Sequence, residues 1–406
     1  MPLSGATRRM KNCSADPPFG SAAFRGQTKE MPQSQRAILR YKNPIFRGCM
    51  RARDLLSLVV FLLYVNPSPG AAQTAGFVNP CRKGYEALQR REFHIAEAML
   101  KDCMKVNPNQ MYSYLALCGL YQSQGRVADL QQVASEGMRR FPEEKRFYLT
   151  VGNHAGESEQ YEKAIEVFNE GYRRWPDDPS IKKNLANAQL LLGMKLLDKN
   201  DNAAAEPHLR QAAKLAENDV EAHLNLGRAL HNLNQSVEAV SEFERILTID
   251  PHTPLAHLHR GMVLSALGEL DSAVADLGQE IKFNPDYPPS YLIRGQALMK
   301  RGDWTAAASD LDLAVQKMPE NPKATYARAL CLNYLGKTKD AEADFRKTIE
   351  LDPSNPEPMN ALGRLLWLSN LKKEAEDLFR KAREQSQAIR TVEPGEIKFR
   401  SAQPQK

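Results

Sequence analysis

The chain is short of the local signatures that catalysis requires. After residue 72 it holds no GxSxG, HExxH, P-loop or GxGxxG. That excludes the strained nucleophile turn, the helical zinc-hydrolase site and the glycine loops that cradle phosphates. Acidic pairs such as Asp177-Asp178 sit between helical stretches, where Asp is ordinary turn chemistry. Cysteine is sparse, with six residues at 13, 49, 81, 103, 118 and 331. None makes a CxxC, so a zinc ribbon or a dithiol redox motif is absent. The apolar run Leu55–Val65 spans 11 residues, too few for an ordinary membrane-spanning helix. Acidic residues are nearly missing from the front. Residues 1–53 hold 11 Lys and Arg against 2 acidic residues, a net of +9. With +6 on the whole chain, the remainder carries −3. Basicity therefore belongs to the leader, which argues against a nucleic-acid surface on the rest.

What is present is a period. Prolines fall at Pro108, Pro142 and Pro176, then at Pro251, Pro285, Pro319 and Pro353, each set in steps of 34. Gly193, Gly227, Gly261 and Gly295 keep that step, followed by Ala329 and Gly363. So do Ala205, Ala239, Ala273, Ala307, Ala341 and Ala375. Nine copies fill the chain from about Phe77 to Ile389. A period of this length signals stacked supersecondary units. In the window 220–253, Leu224, Gly227, Leu230 and Leu233 follow helical spacing. After a polar break at Asn234–Ser236, so do Val240, Phe243, Ile246 and Leu247. This predicts two amphipathic helices joined by a short turn. Pro251 stops the second, and Gly268 and Gly302 stand where later turns need a positive φ. Gly227 and Ala239 lack bulk and suit a close helix crossing beside Phe243. One helical pair cannot bury its apolar face alone, so neighbours must stack.

The pattern resembles the tetratricopeptide-repeat (TPR) family. Ala307, Leu311 and Pro319 in one repeat, and Ala341, Phe345 and Pro353 in the next, reproduce its second-helix Ala, the large residue four later and the closing Pro. The resemblance covers roughly residues 77–389. Cys118 and Leu130 depart from it in repeat two, as do Glu217 in repeat four and Gln387 in repeat nine, where Pro is expected. It implies an all-α fold, a right-handed TPR α-solenoid of about nine helix-turn-helix repeats. From Ala164 to Ala205 the step is 41, seven residues too many, around 179–185. Seven residues are close to two helical turns, which predicts a first helix from Ser180 to about Lys199 in repeat four. This divides the array into repeats 1–3 (77–178) and 4–9 (179–389). The junction is read either as a hinge or as a tolerated surface insertion.

The front of the chain is of another kind. Residues 1–49 are basic, with little apolar periodicity, and are expected to be disordered. Met50 opens a positive stretch, then the apolar run, then small residues to Ala72, the layout of a secretory signal peptide cleaved after Ala72. Three readings stand: Met50 as the true initiator of an exported protein, residues 1–53 as an Arg-rich transit peptide, or an uncleaved anchor at 55–65. Residues 390–406 are expected to be a disordered tail.

Cys81, Cys103 and Cys118 fall on neighbouring helices. One disulfide there would fit an oxidising compartment; small core residues are the plainer reading. Histidines gather at 208, 223, 231, 252, 257 and 259, but no Asp or Glu completes a metal set, so neither metal nor cofactor is expected.

By the resemblance, first-helix residues line a concave face that receives a peptide or a partner's helix. In repeat four these are Leu190, Leu191, Met194 and Leu197. Repeats five and six add Leu224, Asn225, Arg228, His231, Leu258, His259 and Met262. Repeats seven to nine add Leu292, Ile293, Gln296, Met299, Tyr326, Asn333, Asn360, Arg364 and Trp367. The lining is mostly apolar and suits an extended or helical segment with apolar anchors. The family's grip on acidic chain ends needs a Lys and an Asn one turn apart with further basic residues. Leu224, Arg228, His259, Pro289 and Ile293 occupy the matching positions, and Arg228 alone does not make it. The expected function is a non-catalytic scaffold for peptides or proteins, exported. The competing classes are a mitochondrial or membrane-tethered assembly factor and the regulatory array of a separate enzyme. No nucleic-acid or small-molecule partner is expected, and a membrane only through an uncleaved 55–65.

Overall fold

The computed structural model describes residues 79–392. The basic extension, the signal-like segment at 50–72, Cys13, Cys49 and the tail beyond 392 lie outside them. The described residues form 18 α-helices and no strand. They pair as α1 (Pro80–Gln89) with α2 (Phe93–Val106), α3 (Met111–Ser123) with α4 (Val127–Arg140), and α5 (Lys145–Glu157) with α6 (Tyr161–Arg174). Then come α7 (Pro179–Asp198) with α8 (Asn202–Leu215), α9 (Val220–Asn232) with α10 (Ser236–Ile249), and α11 (Ala256–Leu267) with α12 (Leu270–Phe283). The last three pairs are α13 (Pro288–Arg301) with α14 (Trp304–Lys317), α15 (Pro322–Tyr334) with α16 (Thr338–Leu351), and α17 (Pro356–Leu368) with α18 (Lys372–Val392).

Local chemistry sets these boundaries. Pro opens α1, α7, α13, α15 and α17, where its missing N–H costs nothing. Asp178 accepts hydrogen bonds from the backbone N–H groups of Ser180 (2.9 Å) and Ile181 (3.1 Å), and Asp219 caps α9 in the same way. Each turn within a pair holds one residue in the left-handed region. The positions are Arg91, Gly125, Glu159, Asn200, Asn234, Gly268, Gly302, Gly336 and Asn370. Gly268 and Gly302 behave as their sequence implied; the same conformation at Arg91 and Glu159 carries a Cβ penalty that the packed helices impose.

The chain divides into two compact units, residues 1–130 and 131–406. In the first, a disulfide joins Cys81 of α1 to Cys103 of α2, with Cα atoms 4.8 Å apart. The plainer expectation for these two cysteines is thereby corrected; Cys118 is a free, buried thiol, as is Cys331. Beside the disulfide, Glu97 receives both terminal nitrogens of Arg126 and the Tyr121 hydroxyl (3.0 Å). The Arg126 guanidinium hydrogen bonds hold the Glu97 carboxyl down at about 2.

In the second unit, each helix from α5 to α17 packs on the one that follows it, and the first helices of successive repeats also touch. Core clusters therefore run from one repeat into the next. One joins Ala164 and Phe168 of α6 to Leu185 and Leu192 of α7. Another joins Leu209, Leu226, Phe243 and Val263 across α8 to α11. The seven extra residues lengthen α7 to 20 residues. The core continues through this junction, and the division between units falls at Leu130, within α4. At the far end α18 runs on past Gln387 to Val392, since no Pro stops it.

Candidate functional site

The groove follows from the repeat geometry. Residues three apart on a helix are surface neighbours, and the period copies each such position from one first helix to the next. His231, Ser265 and Met299 hold one such position. Met262, Gln296 and Leu330 hold a second, and Ile293 and Ala327 a third. Together they line a groove of about 800 Å³ along α9, α11, α13 and α15. Trp304, Pro322, Lys323 and Tyr326 complete one wall, and Asp352, Asn355 and Glu357 close the end nearest α17. Met262, Ile293, Met299, Ala327 and Leu330 give the groove an apolar strip, and Ser265, Gln296, Lys300 and Lys323 add polar groups along it.

Several of those groups are already engaged. Lys300 Nζ donates to Ser265 Oγ at 3.4 Å. Asn355 caps α17 by accepting from the Glu357 N–H at 3.0 Å. Trp304 stacks on Tyr334, with ring centroids 3.7 Å apart, and its carbonyl accepts from the Cys331 thiol at 3.2 Å. Burial, then the negative charge of Glu357, raises the Tyr326 hydroxyl pKa. The phenol is therefore a neutral donor.

Of the residues singled out in the sequence, His231, Met262, Ile293, Gln296, Met299 and Tyr326 line this groove. Leu190, Asn225, Leu258 and Leu292 do not; they are buried, Leu258 at 3% exposure, and serve helix packing. Leu191 is half-buried, and Met194, Leu197 and Leu224 pack against the core of repeats four to six. Arg228, Asn333, Arg364 and Trp367 are exposed, and His259 and Asn360 half-buried, outside the groove lining. Ser265 and Leu330 were findable, since they stand 34 residues from chosen positions. Trp304 comes from a second helix, and Asp352 and Asn355 from the approach to the next repeat, where first-helix spacing does not reach; Glu357 lies in the first turn of α17.

Three of the histidines are spent inside the repeats. His208 Nδ1 meets Gln189 Oε1 at 2.7 Å, His223 Nδ1 meets Glu242 Oε2 at 2.6 Å, and His257 Nδ1 meets Asp276 Oδ1 at 3.1 Å. Sequence reasoning also missed a ladder of ion pairs within the repeats. Arg260 grips Asp276 through two hydrogen bonds (2.5 and 2.6 Å), and Arg294–Asp310 and Arg328–Asp344 repeat the grip at 2.7 Å. The signal was present, as Arg and Asp each recur at 34. The planar fork matches a carboxylate held on the neighbouring helix.

Helical pairs on a 34-residue period, stacked through shared cores, define an all-α repeat solenoid. Residues 190–254, 292–356 and 326–389 match the tetratricopeptide-repeat model. Those stretches carry tetratricopeptide repeats, and the all-α helical pairs have the fold of that repeat. Among solved structures, it is similar to MamA at 21% identity, covering 41% of this chain and 97% of that one with a TM-score of 0.39. It is similar to PilW, a type IV pilus biogenesis factor, at 18% identity, 51% and 93% coverage and a TM-score of 0.44. YrrB, a TPR protein with an unusual peptide-binding site, is 21% identical over 47% of this chain and 95% of that one, with a TM-score of 0.36. No curated protein matches the chain.

Proposed function

We propose that this protein is a non-catalytic scaffold that binds a peptide or protein segment in the groove of repeats five to nine. The observation that carries the reading is the groove itself. About 800 Å³ of space is lined by Met262, Ile293, Met299, Tyr326 and Leu330, with polar groups among them. Such a lining seats apolar anchors of an extended or helical segment, and its methionines adapt to varied side chains. Peptides selected on the immobilised protein should bind it and lose at least about ten-fold in affinity on Met299→Glu, a cost near 1.4 kcal/mol. Equal binding to both would overturn the reading.

The scaffold works outside the cytoplasm. The signal-like segment ending at Ala72 supports this, and so does the Cys81–Cys103 disulfide, a bond that persists in oxidising compartments. N-terminal sequencing from the native host, with fractionation, tests it. A start at Gln73 in a soluble exported fraction is the expected result. A retained 55–65 segment in a membrane fraction would replace it with the tethered reading.

A further inference from the structure

Arg228 is unlike the ladder arginines. Arg260, Arg294 and Arg328 are each neutralised by an aspartate of the paired helix. Arg228 stands two positions further along its repeat, is exposed, and donates to the amide oxygen of Asn225 at 3.1 Å. Among the described residues no carboxylate pairs with it. His231 lies three residues on, on the same face of α9. Its Nδ1 is buried with no hydrogen-bond partner, and burial lowers its pKa. His259 reaches the same place from α11, which packs beside α9, with its ring stacked on Phe243 at 5.7 Å. Burial, then the charges of Arg228 and His231, hold His259 down at about 4. No carboxylate among the described residues pairs with any of these three side chains, Arg228 has only the Asn225 amide oxygen, and His231 is also part of the groove lining. Asp352 and Glu357 line the end nearest α17, with Lys300 and Lys323 between the two ends.

We infer that Arg228, His231 and His259 form an anchor for an acidic side chain of the bound peptide, which fixes the direction in which that peptide lies. The proposal rests on the groove being the binding surface. A Glu or Asp carboxylate would accept from the Arg228 guanidinium and from the imidazole N–H groups, and charge-assisted bonds of this kind are the strong ones. An arriving carboxylate also favours the protonated imidazoles, so binding takes up protons and tightens as pH falls. The charged groups acting on His259 are Arg228 and His231; Arg260 and Arg294, on α11 and α13, are already neutralised.

The test uses capped ten-residue peptides, acetylated and amidated so that no chain end is charged. They are randomised at apolar positions and made in pairs that differ only by Glu or Gln. Titration calorimetry in two buffers of different ionisation heat reads affinity and proton uptake. The Glu member should bind about ten-fold tighter with proton uptake, and Arg228→Gln should erase that preference. Glu and Gln peptides that bind equally, both lost on Met299→Glu, overturn the anchor and leave the groove standing. Binding indifferent to Met299→Glu overturns the groove, and the anchor with it.

Discussion

Gly227 of α9 lies so close to Phe243 of α10 that a Cβ on the glycine would stand 2.7 Å from the ring. The same approach recurs at Gly193–Leu209, Gly261–Leu277 and Gly295–Leu311. It explains why one position of the period tolerates so little bulk. Repeat eight uses the alternative, with Ala329 opposite a buried Phe345.

Replacing Gly227 with Ala should therefore push α9 and α10 apart. Overpacking costs about 1–3 kcal/mol, and the helix propensity gained returns about 1. Native-state hydrogen exchange should show the α9 and α10 amides opening about 1 kcal/mol more easily, with α15 and α16 unchanged. Unchanged exchange in α9 and α10 would mean that the close approach is no constraint.

Asp310 is buried at 4% exposure and faces the Arg294 fork. Asp310→Ala strands a half-buried guanidinium, and a loss of about 3 kcal/mol is expected in repeat seven. The double change Arg294→Met with Asp310→Leu should recover most of it, because an apolar pair needs no neutralisation. Urea denaturation of the two variants separates the outcomes; equal losses would show that the pair matters through shape alone.

Glu97 should make the first unit acid-sensitive. Its carboxyl titrates near 2 in the fold, below the ordinary 4.5. Its contribution is full above about pH 4.5 and is lost as pH falls toward 2. Glu97→Gln should lower stability by about 1 kcal/mol at pH 7, a figure reduced by solvent screening, and the gap should close by about pH 2. Calorimetric scans across pH 7 to 2 check this. A gap that persists in acid would assign the loss to packing.

Breaking the disulfide should loosen the same unit. Cys81 and Cys103 are separated by 22 residues, and closing a loop of that size contributes about 3 kcal/mol. Cys81→Ser, or mild reduction, should raise amide exchange in α1 and α2 and leave α9 to α16 untouched. The buried Cys118 thiol, pushed up to about 12 by burial, should resist alkylation until the unit opens.

Much of the fold was legible because the period is written in residue chemistry. Pro251 lacks the N–H that a helix needs, Gly268 takes φ +87° without a clash, and the Ala comb marks the second helices. The groove was legible only in part. Position alone cannot tell Met262, which lines it, from Leu258, which is buried one turn earlier on the same helix. Both are apolar, and only the neighbouring helix decides which one it covers.

By itself the sequence determined the nine helical pairs, the places where they turn, and the length of α7, because those depend on interactions within one helix and its flanking turns. Tertiary structure alone decided the rest. It paired Cys81 with Cys103, put Arg294 in the grip of Asp310, and brought His259 to Arg228 and His231. Each of these joins two different helices. Where two helices meet depends on how side chains fill the space between them, which a linear pattern does not record.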